Sequence, residues 1–467
     1  MPACEVAGHL CPLGERQRTS ERSSDVRVLL PLRRPARRRP TDPHASDATD
    51  ATDATDATDA TDVTMASVST PTSHGQWRAL ARQPGYVGFV LTVSASRTAG
   101  MMSSVAIVLL VLARTHSPAL AGAVVAIGVL PGVLAAPWLG ALLDVVSRRR
   151  PLIVLDELTS AAAAITLVAL AGHAPDWTLL AVGFVSGVSS PLTNGGFQGA
   201  IATLAGSELL DRASAIEATS MNGSLVVGPA LAGALAGAFG AATVLEVQAA
   251  ALVLISGAIA ADRSFEARSS EPPGSLREAV RAGSRALTHD GVLRDVTLGG
   301  MLTNLGWGIM VVVFPLYAER SLHAHRSAGG YLWSAVAVGS ILGTFLLPGA
   351  GTRRRIGASY AAIGVSGLLW LLAGSLPVGI ALVGLTGITD GPGYSGAITL
   401  RQRRAPAAAR TQVLNTISAL TGGAIALGSL LGGAIGDPAT AIAVFAACNL
   451  AAAALLARHG AAARRDG

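Results

Sequence analysis

The sequence contains no lysine; all 35 of its basic residues are arginine. That bias reads as GC-rich coding rather than chemistry, but it has a consequence. A phosphate-cradling Gly-x-x-x-x-Gly-Lys loop is absent, which excludes a self-contained ATP-driven pump. Cysteine is scarce: Cys4, Cys11 and Cys448 show no zinc or redox spacing and no disulfide framework. Aromatic residues make up 4% of the chain, too few for a base-stacking surface, so no nucleic-acid partner is expected despite the net charge of +6. Charged residues are 14%, where a soluble globular protein carries about 25%. A soluble two-domain enzyme, the default for 467 residues, is excluded on that ground. No Gly-x-Ser-x-Gly elbow in a strand–turn–helix setting and no other catalytic constellation is found, so the chain is not read as an enzyme. No metal site or cofactor is expected.

What the sequence has instead is apolar length. Mean hydropathy is +0.50. From Pro84 onward, runs of roughly 20 apolar residues recur, the length a helix needs to cross about 30 Å of hydrocarbon. Twelve are expected, at 86–112, 119–143, 151–172, 177–203, 214–237, 241–261, 296–318, 328–349, 356–374, 377–399, 412–434 and 438–457. The fold class is therefore an all-α membrane protein of twelve transmembrane helices. Residues 1–75 differ: an arginine-rich, Pro-rich patch precedes Ala-Thr-Asp repeats from Ala48 to Asp62. Such a polar repeat cannot bury a core and is expected to be disordered. It is open whether this extension is translated upstream sequence, with Met65 the initiator.

The organisation is two halves, 84–261 and 296–458, joined by a cytoplasmic linker, 262–295, with a short tail, 459–467. The linker holds Glu271-Pro272-Pro273-Gly274 and an amphipathic stretch with Leu276, Val280 and Leu287. Of 26 arginines from residue 65 on, only Arg114, Arg320 and Arg326 fall in odd-numbered loops, which places both termini in the cytoplasm. The halves echo each other. Arg148-Arg149-Arg150 recurs as Arg353-Arg354-Arg355, 205 positions later; GPALAG (Gly228–Gly233) is matched by GSLLGG (Gly428–Gly433), 200 positions later. Parallel six-helix repeats are one transporter architecture.

Two motifs carry a family resemblance. GALLDVVSRRR, Gly140 to Arg150, resembles the loop 2–3 signature of the major facilitator superfamily, Gly-x-x-x-Asp-(Arg)-x-Gly-Arg-Arg, matching at Gly140, Asp144, Arg149 and Arg150. Asp144 ends a helix and can pair with guanidinium groups, a latch that must break in the other conformation; the bland alternative is that the arginines only set orientation. GPALAG resembles the fifth-helix signature of the superfamily's antiporters: Pro229 kinks the helix, and Gly228 and Gly233 permit close approach. Ordinary small-residue packing is the alternative. Together with RRRPLIVLDEL (Arg148–Leu158), FPLYAER (Phe314–Arg320) and RTQVLN (Arg410–Asn415), the order of features is most similar to the macrolide-efflux-like branch. The resemblance implies proton-driven export of hydrophobic small molecules. One departure stands out: the fourth span lacks the arginine that many proton–drug antiporters carry there.

Charges within the spans are functional candidates because burying them in lipid is costly. Arg97, Glu217 and Asp390 are the coupling candidates. Asp390 stands in GITDGPGYSG, where Gly391-Pro392-Gly393 is expected to break the helix and expose carbonyls to a cavity. It could equally cap that break. Arg97 could bind an anionic substrate or pair with Asp156 or Glu217. Asn194, Gln198, Asn222, Asn304 and Asn415 could line a cavity or bond between helices. Trp307 and Tyr394 could pack on a ligand ring. The composite expectation is a monomeric plasma-membrane secondary transporter taking a small-molecule substrate and protons. Export of hydrophobic or amphiphilic compounds leads; uptake of a small polar metabolite and a non-transporting sensor are the alternatives.

Overall fold

The computed structural model describes residues 80–146, 148–266, 285, 288–347, 351–406 and 410–462. The amino-terminal extension and most of the expected linker lie outside the described residues, as does the tail from 463. Among the described residues the chain is helical and carries twelve α-helices. The first six are α1 (Tyr86–Thr115), α2 (Pro118–Val145), α3 (Arg150–Leu170), α4 (Asp176–Ser189), α5 (Pro191–Phe239) and α6 (Ala241–Ala261). The second six are α7 (Gly291–Arg320), α8 (Gly329–Leu346), α9 (Arg353–Leu368), α10 (Leu376–Arg404), α11 (Arg410–Ile435) and α12 (Pro438–Ala462). Ten stretches are long and apolar enough to cross a membrane. Their outward surface is apolar too: Leu91, Leu254, Phe345 and Leu372 are exposed, which suits lipid and not water. Trp138 and Trp177 are exposed near helix ends, as interface anchors would be.

The boundaries follow local chemistry. Ser117 caps α2 through Leu120 N, with Pro118 at the first turn where its missing N–H costs nothing. Asp290 caps α7 through Val292 N and Leu293 N, so that helix starts five residues before the expected span at 296.

The fourth and fifth spans depart from expectation. The fourth is broken at Ser189-Ser190-Pro191 rather than continuous over 177–203. Pro191 cannot donate to the Gly187 carbonyl; the Ser190 hydroxyl does so instead, at 3.0 Å. No non-helical loop separates the fourth span from the fifth: α5 is helical for 49 residues. It is not straight. Ser220 pairs with Ser94 and Ser224 with Thr98, both at an offset of 126. On that register Phe197 would fall about 27 Å from Phe89, yet their rings are 6.4 Å apart. The helix therefore doubles back between Phe197 and Ser220, a stretch containing the Gly206-Ser207 pair.

Each half has its own buried core. One is built on α1 and α6, with the rings of Phe89, Phe197 and Phe265 clustered at tilted and edge-on angles. The other centres on Trp370, Phe445 and Phe314. The halves meet where glycine lets backbones touch. A Cβ on Gly330 of α8 would collide with the Pro229 carbonyl of α5; one on Gly122 of α2 would collide with the Ser429 carbonyl of α11. Gly233 packs on Gly330, and Gly433 on Pro118 and Ala119. The two sequence echoes thus make the same contact twice, once from each half. Arg326 closes the same end, donating to the Leu112 carbonyl at 3.1 Å while paired with Glu319 at 2.7 Å.

Candidate functional site

The seam between α1 and α5 is polar. Ser94 and Ser220 hydroxyls lie 2.7 Å apart, and Thr98 and Ser224 hydroxyls 3.1 Å apart. Between these steps Arg97 Nη2 donates to Glu217 Oε1 at 2.8 Å, and Nη1 to the Glu217 carbonyl at 3.3 Å. The side chains are 8% and 24% exposed, so the pair is largely withdrawn from solvent. Arg97 Nε is buried with no acceptor. The pair lines a narrow crevice of about 10 Å³, together with Tyr86, Phe89, Val93 and Ile216. Of the two partners considered for Arg97, the structure chooses Glu217. One turn beyond the ladder, a Cβ on Gly228 would press on Met101 and the Thr98 carbonyl. The GPALAG glycines therefore serve two seams: Gly228 faces α1, and Gly233 faces the other half.

The expected break at Gly391-Pro392-Gly393 does not occur. α10 runs helical through Pro392. The carbonyl that Pro392 leaves without a donor is that of Ile388, and it lies against Gly343 of α8. Close packing, not a cavity, absorbs the defect. Asp390 is held by Trp307 Nε1 at 3.3 Å and Ser340 Oγ at 3.4 Å, two long bonds from α7 and α8. Trp307 is packed against Phe445 and Trp333, ring centroids 4.9 and 5.7 Å away. Tyr394, one turn on from Asp390, is exposed.

The amide candidates are less convergent. Asn304 donates to the Gly300 carbonyl of its own helix at 2.7 Å, and Asn194 to that of Ser190 at 3.4 Å. Asn194 and Asn222 are exposed. The side chains of Gln198 and Asn415 lie outside the described set, as do those of Gly140 and Asp144. At the loop after α2, Arg149 is buried and donates from Nε to the Leu143 carbonyl at 2.6 Å, covering the last turn of that helix. Arg150 opens α3 and is half-buried. In the second triplet, Arg353 pairs with the buried Asp295 at 2.8 Å and donates to the Leu456 carbonyl. These arginines tie helix ends together in addition to any orienting effect.

Several polar residues of this seam were not foreseen from sequence as a hydroxyl ladder: Ser94, Thr98 and Ser220, with Ser224, which stands where the resembled fifth-helix signature has a glycine. Their signal was a pair of hydroxyls at helical i, i+4 spacing in each of two apolar spans. In the other half Ser340 and Arg401 were missed; Arg401 donates to the Val296 carbonyl at 3.1 Å.

Two six-helix halves, each with its own core, joined by glycine seams and carrying ionisable groups inside apolar helices, define a secondary transporter of the major facilitator type. The family described as transmembrane secretion effector matches residues 80–465, and the chain belongs to it. An uncharacterized MFS-type transporter, y4rN, of Sinorhizobium fredii is 27% identical over 370 residues, covering 77% of this chain and 90% of that protein. The multidrug efflux pump Tap of Mycobacterium tuberculosis is 27% identical over 383 residues, covering 79% and 91%. Among solved structures, a bacterial homolog of the human lysosomal transporter Spinster, inward-facing and unoccupied, aligns with a TM-score of 0.62 at 14% identity. That alignment covers 80% of this chain and 95% of that one. The protein is a multi-pass membrane transporter and not an enzyme.

Proposed function

We propose that this transporter exports hydrophobic or amphiphilic small molecules in exchange for protons, by alternating access between two six-helix halves. The observation that carries the reading is the paired glycine-on-carbonyl seam, α5 on α8 and α2 on α11. Backbone contacts without interlocked large side chains can part as two rigid halves rock. The arginine count sets this seam at the outer face, with both termini in the cytoplasm of a plasma-membrane protein. At the opposite end, Gly140, Asp144, Arg149 and Arg150 form the latch that holds the alternative state. All twelve helices cross in this reading, α4 with the first part of α5 making the fourth pass and α10 the tenth. Arg97, Glu217 and Asp390 are the groups that sense protons or substrate. Export is favoured by the GPALAG motif and by the relative that is named a multidrug efflux pump.

The test uses inverted vesicles from an efflux-deficient host expressing the full chain. Energised with a proton gradient, they should accumulate dyes or antibiotics from an apolar panel, and an uncoupler should abolish the accumulation. Failure across the panel defeats the export reading. Uptake of a small polar metabolite is then favoured by the Arg97–Glu217 pair lining its crevice, and right-side-out vesicles test it.

A further inference from the structure

Two adjacent carboxyl groups on α3, Asp156 and Glu157, are buried away from the pairs described above, at 3% and 4% exposure. Neighbours in a helix point about 100° apart, so they meet different partners. Asp156 faces the broken fourth span. Its Oδ2 accepts from Thr193 N at 3.3 Å, in the first turn of α5, where the helix dipole favours a negative charge. Glu157 faces α1, and its one polar contact is the Ser96 hydroxyl, which donates to Oε1 at 2.6 Å. No helix terminus and, among the described residues, no arginine within ion-pair distance compensates it.

The charges on every element packed against α3 can be named. α1 carries Tyr86, Arg97 and Arg114, and Arg97 is turned to Glu217. α4 carries Asp176. α5 carries Glu208, Asp211, Arg212 and Glu217. α6 carries Glu246, the turn after it Asp262, Arg263 and Glu266, and α3 itself Arg150 and Asp156. An anion at Glu157 would thus stand beside the Asp156 carboxylate with a single hydroxyl donor. The neutral acid keeps that hydroxyl contact and avoids the uncompensated buried charge.

We propose that Glu157 is a proton-carrying site of the transporter. It holds one proton while α1 seats Ser96 against α3, and returns it to water when α1 moves and the carboxyl is wetted. Ser96 and Arg97 are consecutive on α1, so one displacement of that helix disturbs both Glu157 and Glu217. This deepens the exchange reading above and rests on it for its role in transport.

Two measurements separate the site from the role. Infrared difference spectra of the purified full chain in lipid nanodiscs, titrated with acid and base, should show the carbonyl band of a protonated buried carboxylic acid. In an Asp390→Asn background, which removes the other buried candidate acid, the band should vanish with Glu157→Gln and persist with Glu217→Gln and Asp156→Asn. In vesicles, Glu157→Gln should lose proton-linked accumulation and keep substrate exchange without a gradient. A band that survives Glu157→Gln in that background, or full proton-linked transport by Glu157→Gln alone, overturns the proposal. Should Glu157→Gln not fold, Ser96→Ala leaves the carboxyl in place. The band's titration midpoint must then move, and an unchanged midpoint overturns the assignment. A band lost with Glu157→Gln in that background, without proton-linked transport by the wild type, would keep the site and defeat the exchange reading instead.

Discussion

At the scale of single residues, what matters is how each buried charge is compensated. Arg97 and Glu217 compensate each other, and breaking such a pair leaves one charge stranded. Glu217→Gln is expected to cost about 3 kcal/mol of stability, the low end for a buried pair since Glu217 is partly exposed. Replacing both partners, Arg97→Met with Glu217→Leu, should recover most of that loss; thermal unfolding in detergent of the two singles and the double reads the difference. Asp390→Asn keeps one acceptor oxygen for Trp307 and offers an amide N–H that the Ser340 hydroxyl oxygen can accept. That variant should reach the membrane folded yet lose proton-linked transport in the vesicle assay. Outside the spans, Asp437 accepts from Thr440 N at 2.8 Å and from its hydroxyl at 2.7 Å. These bonds, with a smaller contribution from Arg320, hold its carboxyl below the usual aspartate range. A depressed value stabilises the fold above the unfolded group's titration and loses that contribution as pH falls through the folded value. Stability should therefore drop below about pH 4, and Asp437→Asn should flatten that part of the curve.

At the scale of elements, glycine and proline decide geometry together. Proline leaves a carbonyl without its donor, and the structure disposes of it locally. At Pro191 a serine hydroxyl takes the carbonyl, and at Pro392 a glycine on the next helix lets it approach. The seam glycines should tolerate no side chain. Gly330→Ala and Gly122→Ala are each expected to cost about 1–3 kcal/mol by overpacking. Gly100→Ala, where an added Cβ meets nothing within 4 Å, should cost nothing. Unfolding midpoints of the three variants form the test. That the chain is a series of long apolar helices was legible in the sequence, with most of their boundaries, since apolar length and capping residues are local. A turn between 203 and 214 was legible too; that the chain stays helical through it was not, because a helix that doubles back has the same residue periodicity as two helices joined by a loop.

For the whole molecule, the two halves meet at one end through contacts that are related by repetition. A cysteine pair at Val226 and Ser334, placed in a chain with Cys4, Cys11 and Cys448 replaced by serine, should form a disulfide, since the Ser334 hydroxyl already reaches the Val226 carbonyl at 2.9 Å across the α5–α8 seam. Oxidation should stop transport and reduction restore it. Transport that continues with the bridge formed would show that this seam does not open during the cycle.

Taken by itself, the sequence determined that the chain lives in a membrane, that its two halves echo each other, and which small-residue motifs recur in them. These follow from apolar length, arginine placement and small-residue spacing, all of which are properties of neighbours in the chain. Only the tertiary structure decided that Arg97 faces Glu217, that Asp390 is bonded across three helices in an unbroken stretch, and that Glu157 is left with one hydroxyl. A buried charge is defined by what the rest of the fold brings to it, and pairs up to 120 positions apart leave no local trace.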